Sequence, residues 1–271
     1  MPLLRALNTI PVWPLIVGLL AVCELYSVGL MLLARRRLGF DRLKLNNEVA
    51  GFKFSVIGVL YAVLLAFVVI AVWENYNVTE SAIRNEAKAA GDMAQLSYAL
   101  PESQGEEMRR LLDAYVKEVQ QSEWGTMAGG LPSSSRCSCP SDPSDYQHAG
   151  WPDADLAVFP QALHLLAVIE DNRNERLDSA DGSVPMILWL VLIAGAVITL
   201  GYPAFFGTMN VVAQALMTAT LAALVALVLV PAILLDFPFT GDVVLSSAPF
   251  EEALQQMPPH LEEPSPQPPS P

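Results

Sequence analysis

Phe54-Ser55-Val56-Ile57-Gly58-Val59-Leu60-Tyr61-Ala62-Val63-Leu64-Leu65-Ala66-Phe67-Val68-Val69-Ile70-Ala71-Val72-Trp73 holds no charged side chain. As a helix rising 1.5 Å per residue, such a run covers about 30 Å, the thickness of the hydrocarbon core of a bilayer. Three more stretches of that kind flank it. One runs from Val12 to Ala34 and contains a single charge, Glu24. Two lie downstream, from Pro185 to Phe206 and from Val211 to Leu235, joined by Gly207-Thr208-Met209-Asn210, a turn short enough to predict an antiparallel hairpin. The composition agrees, with 53% hydrophobic and only 16% charged residues among 271. A soluble domain carries about 25% charge.

Charge locates the chain further. Arg35, Arg36, Arg37, Arg42, Lys44 and Lys53 stand against Asp41 and Glu48 between the first two spans, a net of +4. Short basic loops stay cytoplasmic. The segment 75–183 has 8 basic and 18 acidic residues, and no Lys or Arg follows Arg176. The middle segment and both termini are therefore expected outside the cytoplasm. The first span reads as a retained anchor rather than a cleaved signal, because its apolar run is too long and is followed by three Arg. Trp13, Trp73, Trp189 and Tyr202 lie near span ends, where aromatic belts form. With a net charge of -13, the chain is not a nucleic-acid binder.

Beyond Trp73 a helical stripe continues through Val78, Ala82, Ile83, Glu86, Ala87, Ala90, Met93, Ala94 and Leu96 until Pro101. A second stripe is Met108, Leu111, Leu112, Tyr115, Val116 and Val119; a third is Phe159, Ala162, Leu163, Leu166 and Ile169, toward Leu177. The predicted fold class is all-α: a four-span transmembrane helix bundle with an extramembrane helical domain between spans two and three. Its parts are 1–53, the first span with the basic loop; 54–100, the second span with its extension; 101–183, the acidic helical domain with a loop at 129–152; 184–236, the hairpin of spans three and four; and 237–271, an acidic, Pro-rich tail whose last 21 residues, 251–271, are expected to be disordered.

Few residues point to chemistry. Glu24 near the middle of a span costs about 2.5–3.5 kcal/mol unless paired, protonated or wetted. Tyr61, Thr199, Gln214, Thr218 and Thr220 are its candidate polar partners, in an ion site or as structural hydrogen-bond glue. Gly51, Ser55, Gly58, Ala62 and Ala66 fall on one face of span two, which suits either close helix packing or a pore or oligomer face. In the pore reading, Phe52, Phe54 and Phe67 are candidate constrictions. Asp236, Pro238, Phe239 and Gly241 follow span four as an interface motif, anchoring the chain exit or holding an ion. Cys137 and Cys139 are a candidate disulfide with strained spacing, and with His148 they do not match a zinc pattern. His148, His164 and His260 build no catalytic triad, and no phosphate-cradling Gly loop occurs. The chain is expected not to be an enzyme and to use no cofactor and no metal.

Several phrases together resemble a known family. Asn46-Asn47-Glu48-Val49-Ala50-Gly51-Phe52-Lys53-Phe54 leads into Gly58-Val59-Leu60-Tyr61-Ala62-Val63-Leu64-Leu65-Ala66-Phe67 and Trp73-Glu74-Asn75-Tyr76. Glu123-Trp124, Arg173, Arg176-Leu177, Pro185, Leu188-Trp189 and Leu235-Asp236-Phe237-Pro238-Phe239-Thr240-Gly241 complete the set. It resembles the bestrophin-like domain family of bacterial membrane proteins, over roughly 46–130 and 156–250, whereas 131–154 departs from the pattern. The resemblance implies a multi-pass protein of the bacterial inner membrane and a remote relation to pentameric anion channels. It thereby implies self-association and small anions as partners beside the lipid bilayer. Bestrophins proper place their large domain in the cytoplasm, opposite to the orientation read from charge here. The other reading from the residues is a membrane scaffold or sensor whose acidic domain binds a partner.

Overall fold

The computed structural model describes residues 6–38, 47–129 and 158–256. Of these, 88% are helical and no strand occurs among them. Cys137, Cys139 and His148, most of the 129–152 loop, Arg42, Lys44 and residues 257–271 lie outside the described residues.

Four helices are long and apolar enough to cross a membrane. Helix α1 (Val12–Leu38) ends on Arg35, Arg36 and Arg37, whose charges suit the negative end of the helix dipole. Helix α2 (Asn47–Leu96) is continuous for 50 residues and passes from the charge-free stretch into the mixed one without a break. It stops where a 3-10 turn, Ser97–Ala99, leads to extended Leu100 and Pro101. Helix α3 (Glu102–Glu118) widens into a π turn, Val119–Glu123, and continues as α4 (Trp124–Gly129). Helix α5 (Val158–Asp178) precedes the two remaining spans, α6 (Met186–Gly201) and α7 (Val211–Asp236), and α8 (Ala248–Gln256) follows. The expected hairpin turn begins with a 3-10 turn, Tyr202–Phe205, and ends at Asn210, whose side chain accepts from the amides of Val212 and Ala213. That side chain satisfies N–H groups that a helix start leaves unpaired.

The chain forms two compact units. The first comprises residues 1–78 and 181–244 and holds the four spans. Its core gathers Leu15, Leu65, Val72, Leu192, Ala226 and Ile233 from all four. Span four lies deepest: half of its most apolar stretch is buried, against 22% for spans one and two. It packs chiefly along span one rather than along its sequence neighbour, span three. Span one is also tied to span three, where Ser27 Oγ donates to the Leu200 carbonyl at 2.7 Å and Tyr26 Oη to that of Val197. Much of the remaining span surface is apolar and exposed, including Val17, Leu25, Leu60, Phe67, Ile187 and Leu216. Such a surface suits lipid as solvent.

The second unit comprises residues 79–180 and 245–271. The first two predicted stripes face its interior: Ala82, Ile83, Ala87, Ala90 and Met93 on α2, and Met108, Leu112, Tyr115, Val116 and Val119 on α3 and the π turn, are buried. The third stripe is corrected. On α5 the buried residues are Val158, Ala162, Leu165, Ile169 and Arg176, while Phe159 and Leu163 are exposed. The helix is rotated from its purely apolar register because Arg176 is drawn inside. Residues 251–256, expected in the tail, instead continue helix α8, with Ala253 buried.

Candidate functional site

The predicted face of span two is the first candidate. The residues of α2 that pack into the membrane unit are Tyr61, Leu65, Val68 and Val72. The small-residue face lies beside them, about a quarter turn around the helix. Ser55, Ala62 and Ala66 are exposed, and Gly51 and Gly58 are half-buried. A Cβ placed on Gly58 would meet nothing within 4 Å, and one on Gly51 would meet only Phe206, at 3.9 Å. Packing within one chain therefore leaves this face uncovered among the described residues. Of the three Phe expected as constrictions, Phe52 and Phe67 are exposed on other sides of the helix. Phe54 stacks on Tyr202 and meets Phe206 edge-on.

Spans two and three meet at a ring on a glycine. A Cβ at Gly195 would lie 2.6 Å from Tyr61 Cδ2, so only glycine admits the ring there. Tyr61 Oη and Thr199 Oγ1 are buried with no hydrogen-bond partner among the described residues. A cleft of about 400 Å³ runs beside this contact, lined by Ile57, Leu64, Val191, Ala194 and Ile198 among others.

The polar set expected around Glu24 is dispersed instead. Glu24 is half-buried, and no hydrogen bond joins it to any described residue. Gln214 donates to the Phe206 carbonyl at 2.6 Å and accepts from Thr208 Oγ1, which closes the turn into span four. Thr220 bonds the Leu216 carbonyl of its own helix, and Thr218 is buried. The Phe206 carbonyl, freed where the helix before the turn ends, takes Gln214, because hydrocarbon offers no alternative donor.

Asp236 is fully buried rather than set where span four meets water. Its Oδ1 accepts from the amides of Ser183 and Val184, both at 3.0 Å, and from Ser183 Oγ. Its Oδ2 accepts from Trp189 Nε1 at 3.0 Å. Trp189, expected in the interfacial belt, is therefore inside the unit, whereas Trp13 and Trp73 are exposed. Gly182 has a φ of +91°, and a Cβ there would press on the Phe237 ring at 3.1 Å. Pro238 and Phe239 are buried, and Gly241 takes a φ of +86° where a Cβ would strike the Asn8 carbonyl at 2.4 Å. Asn8 Nδ2 in turn donates to Thr240 Oγ1 and to the carbonyls of Phe237 and Thr240.

The second unit holds a buried ionic cluster. Arg176 donates through Nε to Glu86 Oε2 at 2.7 Å, and through Nη2 to Glu86 Oε1 at 2.9 Å and Glu123 Oε2 at 2.7 Å. Tyr115 Oη donates to Glu86 Oε1 at 2.6 Å, and Arg173 Nε to Glu123 Oε1 at 3.0 Å. The guanidinium of Arg176 also lies over the rings of Trp124 and Phe250. Glu86 and Arg176 are completely buried, and Glu123 nearly so. Burial raises the Glu123 carboxyl, but Arg176 and Arg173 outweigh it and hold the pKa below the ordinary value. Burial and the Glu86 carboxylate push the Tyr115 hydroxyl far up. Two carboxylates balance two guanidinia, which is what makes full burial of such charges tolerable.

Residues 21–250 match the Bestrophin-like domain. The chain belongs to the bestrophin-like family. No curated protein and no solved structure matches it. This bestrophin-like chain is a multi-pass membrane protein with four apolar helices. The matched range takes in span two, the Asp236 cluster and every member of the ionic cluster. The ionic cluster of this bestrophin-like protein is marked in the sequence only in pieces. Glu86 stands inside an otherwise apolar stripe, and Arg176 falls seven residues after Ile169, on the same helix face. A charge on a buried face is the signal that would have found both. The π turn that carries Glu123 leaves no such mark.

Proposed function

We propose that this chain is a homo-oligomeric anion channel in which span two lines the pore. The observation that carries the reading is the small-residue face of span two, Ser55, Gly58, Ala62 and Ala66, which no described part of its own chain covers. Tyr61, Leu65, Val68 and Val72 fix the helix orientation by packing into the bundle, so several copies arranged around an axis would present that face inward. A narrow passage lined by small side chains and a single hydroxyl suits ions that shed part of their water. Kinship with bestrophins supports anions as the permeant species. Helices α6 and α7 would then serve as the outer support, with Asp236 and Gln214 closing their ends.

The test is reconstitution. Full-length protein, purified and sized, should be oligomeric, and in liposomes it should pass chloride with a reversal potential that follows the chloride gradient. Monomeric protein, or oligomeric protein without ion flux, would reject the reading and favour a membrane scaffold.

A further inference from the structure

We infer that the basic end of the membrane unit is a docking site for the phosphate headgroups of anionic phospholipids, formed by Arg36, Arg37 and Lys53. The ends of spans one and two are brought to one rim by the turn before span four. Arg35 Nη1 donates to the Thr208 carbonyl at 2.8 Å, while Asn47 Nδ2 donates to the Gly207 carbonyl at 2.7 Å and Asn47 Oδ1 accepts from the Gly207 amide. Arg35 is used in holding that rim, whereas Arg36, Arg37 and Lys53 are exposed and donate to no described residue.

The direction of Lys53 decides the partner. It lies at i, i+7 and i+14 with Leu60 and Phe67, both strongly exposed, on the side of α2 opposite Gly51, Gly58 and Ala62. It therefore points toward lipid and away from the proposed pore. Glu48, the one described carboxylate at this end, lies five residues earlier and projects from a different side of the helix. Around these cations, Phe52, Phe205, Met209 and Val212 are 55–81% exposed, an apolar rim for glycerol and upper acyl chain. A rim that is cationic at its edge and apolar below matches a phospholipid with net negative charge. A soluble acidic protein would engage the cations alone, whereas a phospholipid engages the cations and the apolar rim together. Six of the seven basic residues of this unit fall between 35 and 53, so no other part of it offers such a field.

The inference is independent of channel activity. Thermal unfolding of the full chain in neutral detergent, titrated with phosphatidylglycerol, phosphatidylcholine or inorganic phosphate, tests it. Phosphatidylglycerol should raise Tm saturably, and the other two should not. Arg36→Gln/Arg37→Gln/Lys53→Gln should weaken the phosphatidylglycerol response about tenfold or more, since each cation near the surface contributes substantially to binding. Arg36→Lys/Arg37→Lys/Lys53→Arg should restore it. An equal response to phosphatidylcholine, an equal response to inorganic phosphate, or an undiminished response in the glutamine variant would overturn the site. If the glutamine variant does not fold, salt decides. Phosphatidylglycerol binding to the wild type that does not weaken as salt is raised would overturn it equally.

Discussion

The two units bury polar groups in opposite ways. In the membrane unit the buried polar side chains Asn8, Ser27, Gln214 and Asp236 mostly hold backbone: they accept from loose amides or donate to loose carbonyls at the ends of apolar helices. In the second unit, Glu86, Glu123, Arg173 and Arg176 hold one another. The difference follows from the solvent. A helix end near hydrocarbon has no water to satisfy it, so short polar side chains are placed there. A water-exposed domain has no such shortage and can bury whole charges, provided that each finds its partner.

That contrast can be broken at its strongest point first. Arg176→Ala leaves Glu86 and Glu123 without their shared cation and should destabilise the second unit by about 3–5 kcal/mol, read as a lowered unfolding midpoint in urea. A mild effect would mean that the cluster is less tightly closed than its geometry indicates. Asp236→Ala removes four hydrogen bonds and strands two amides and the Trp189 indole. It should cost about 2–4 kcal/mol and lower the yield of folded protein. Asp236→Asn keeps one acceptor oxygen for the Ser183 and Val184 amides, sets an amide NH2 against the Trp189 indole N–H, and should leave membrane insertion intact. If Asp236→Ala folded normally but lost ion flux, the residue would belong to the permeation path instead.

Gly195→Ala drives a methyl into the Tyr61 ring and should destabilise the bundle by about 1–3 kcal/mol. The double variant with Tyr61→Ala should be less than additive in a thermal-unfolding cycle. Additive effects would show that spans two and three do not meet at this pair. The gentlest prediction concerns pH. Because the folded state depresses the Glu123 pKa, its contribution is present above the ordinary carboxylate pKa of about 4.3 and disappears as pH falls through the lower folded value. The urea midpoint of the second unit should hold from neutral pH to about pH 5 and then fall. In Glu123→Gln that component of the acid loss should be absent.

Much of this organisation was legible because it depends on local runs of sequence. Four apolar stretches, three of them without charge and one holding only Glu24, give four spans, and the stripe from Val78 to Leu96 gives the continuation of the second helix. What escaped depends on partners far away in the chain. Trp189 reads as an interfacial residue until Asp236, 47 positions on, takes its N–H. Arg176 reads as surface until Glu86, 90 positions earlier, pulls it inward and rotates α5. Glu24 pulled the other way. Its expected partners are polar in sequence, yet Gln214 and Thr220 are committed to backbone nearby.

The orientation of span two gives the most direct test. In a background without native cysteines, Ser55→Cys and Ala62→Cys in liposome-reconstituted protein should react with a membrane-impermeant anionic thiol reagent and lose chloride flux. Phe67→Cys, on the lipid side, should neither react nor respond. Reaction and block at Phe67→Cys with Ala62→Cys silent would contradict a pore lined by the small-residue face.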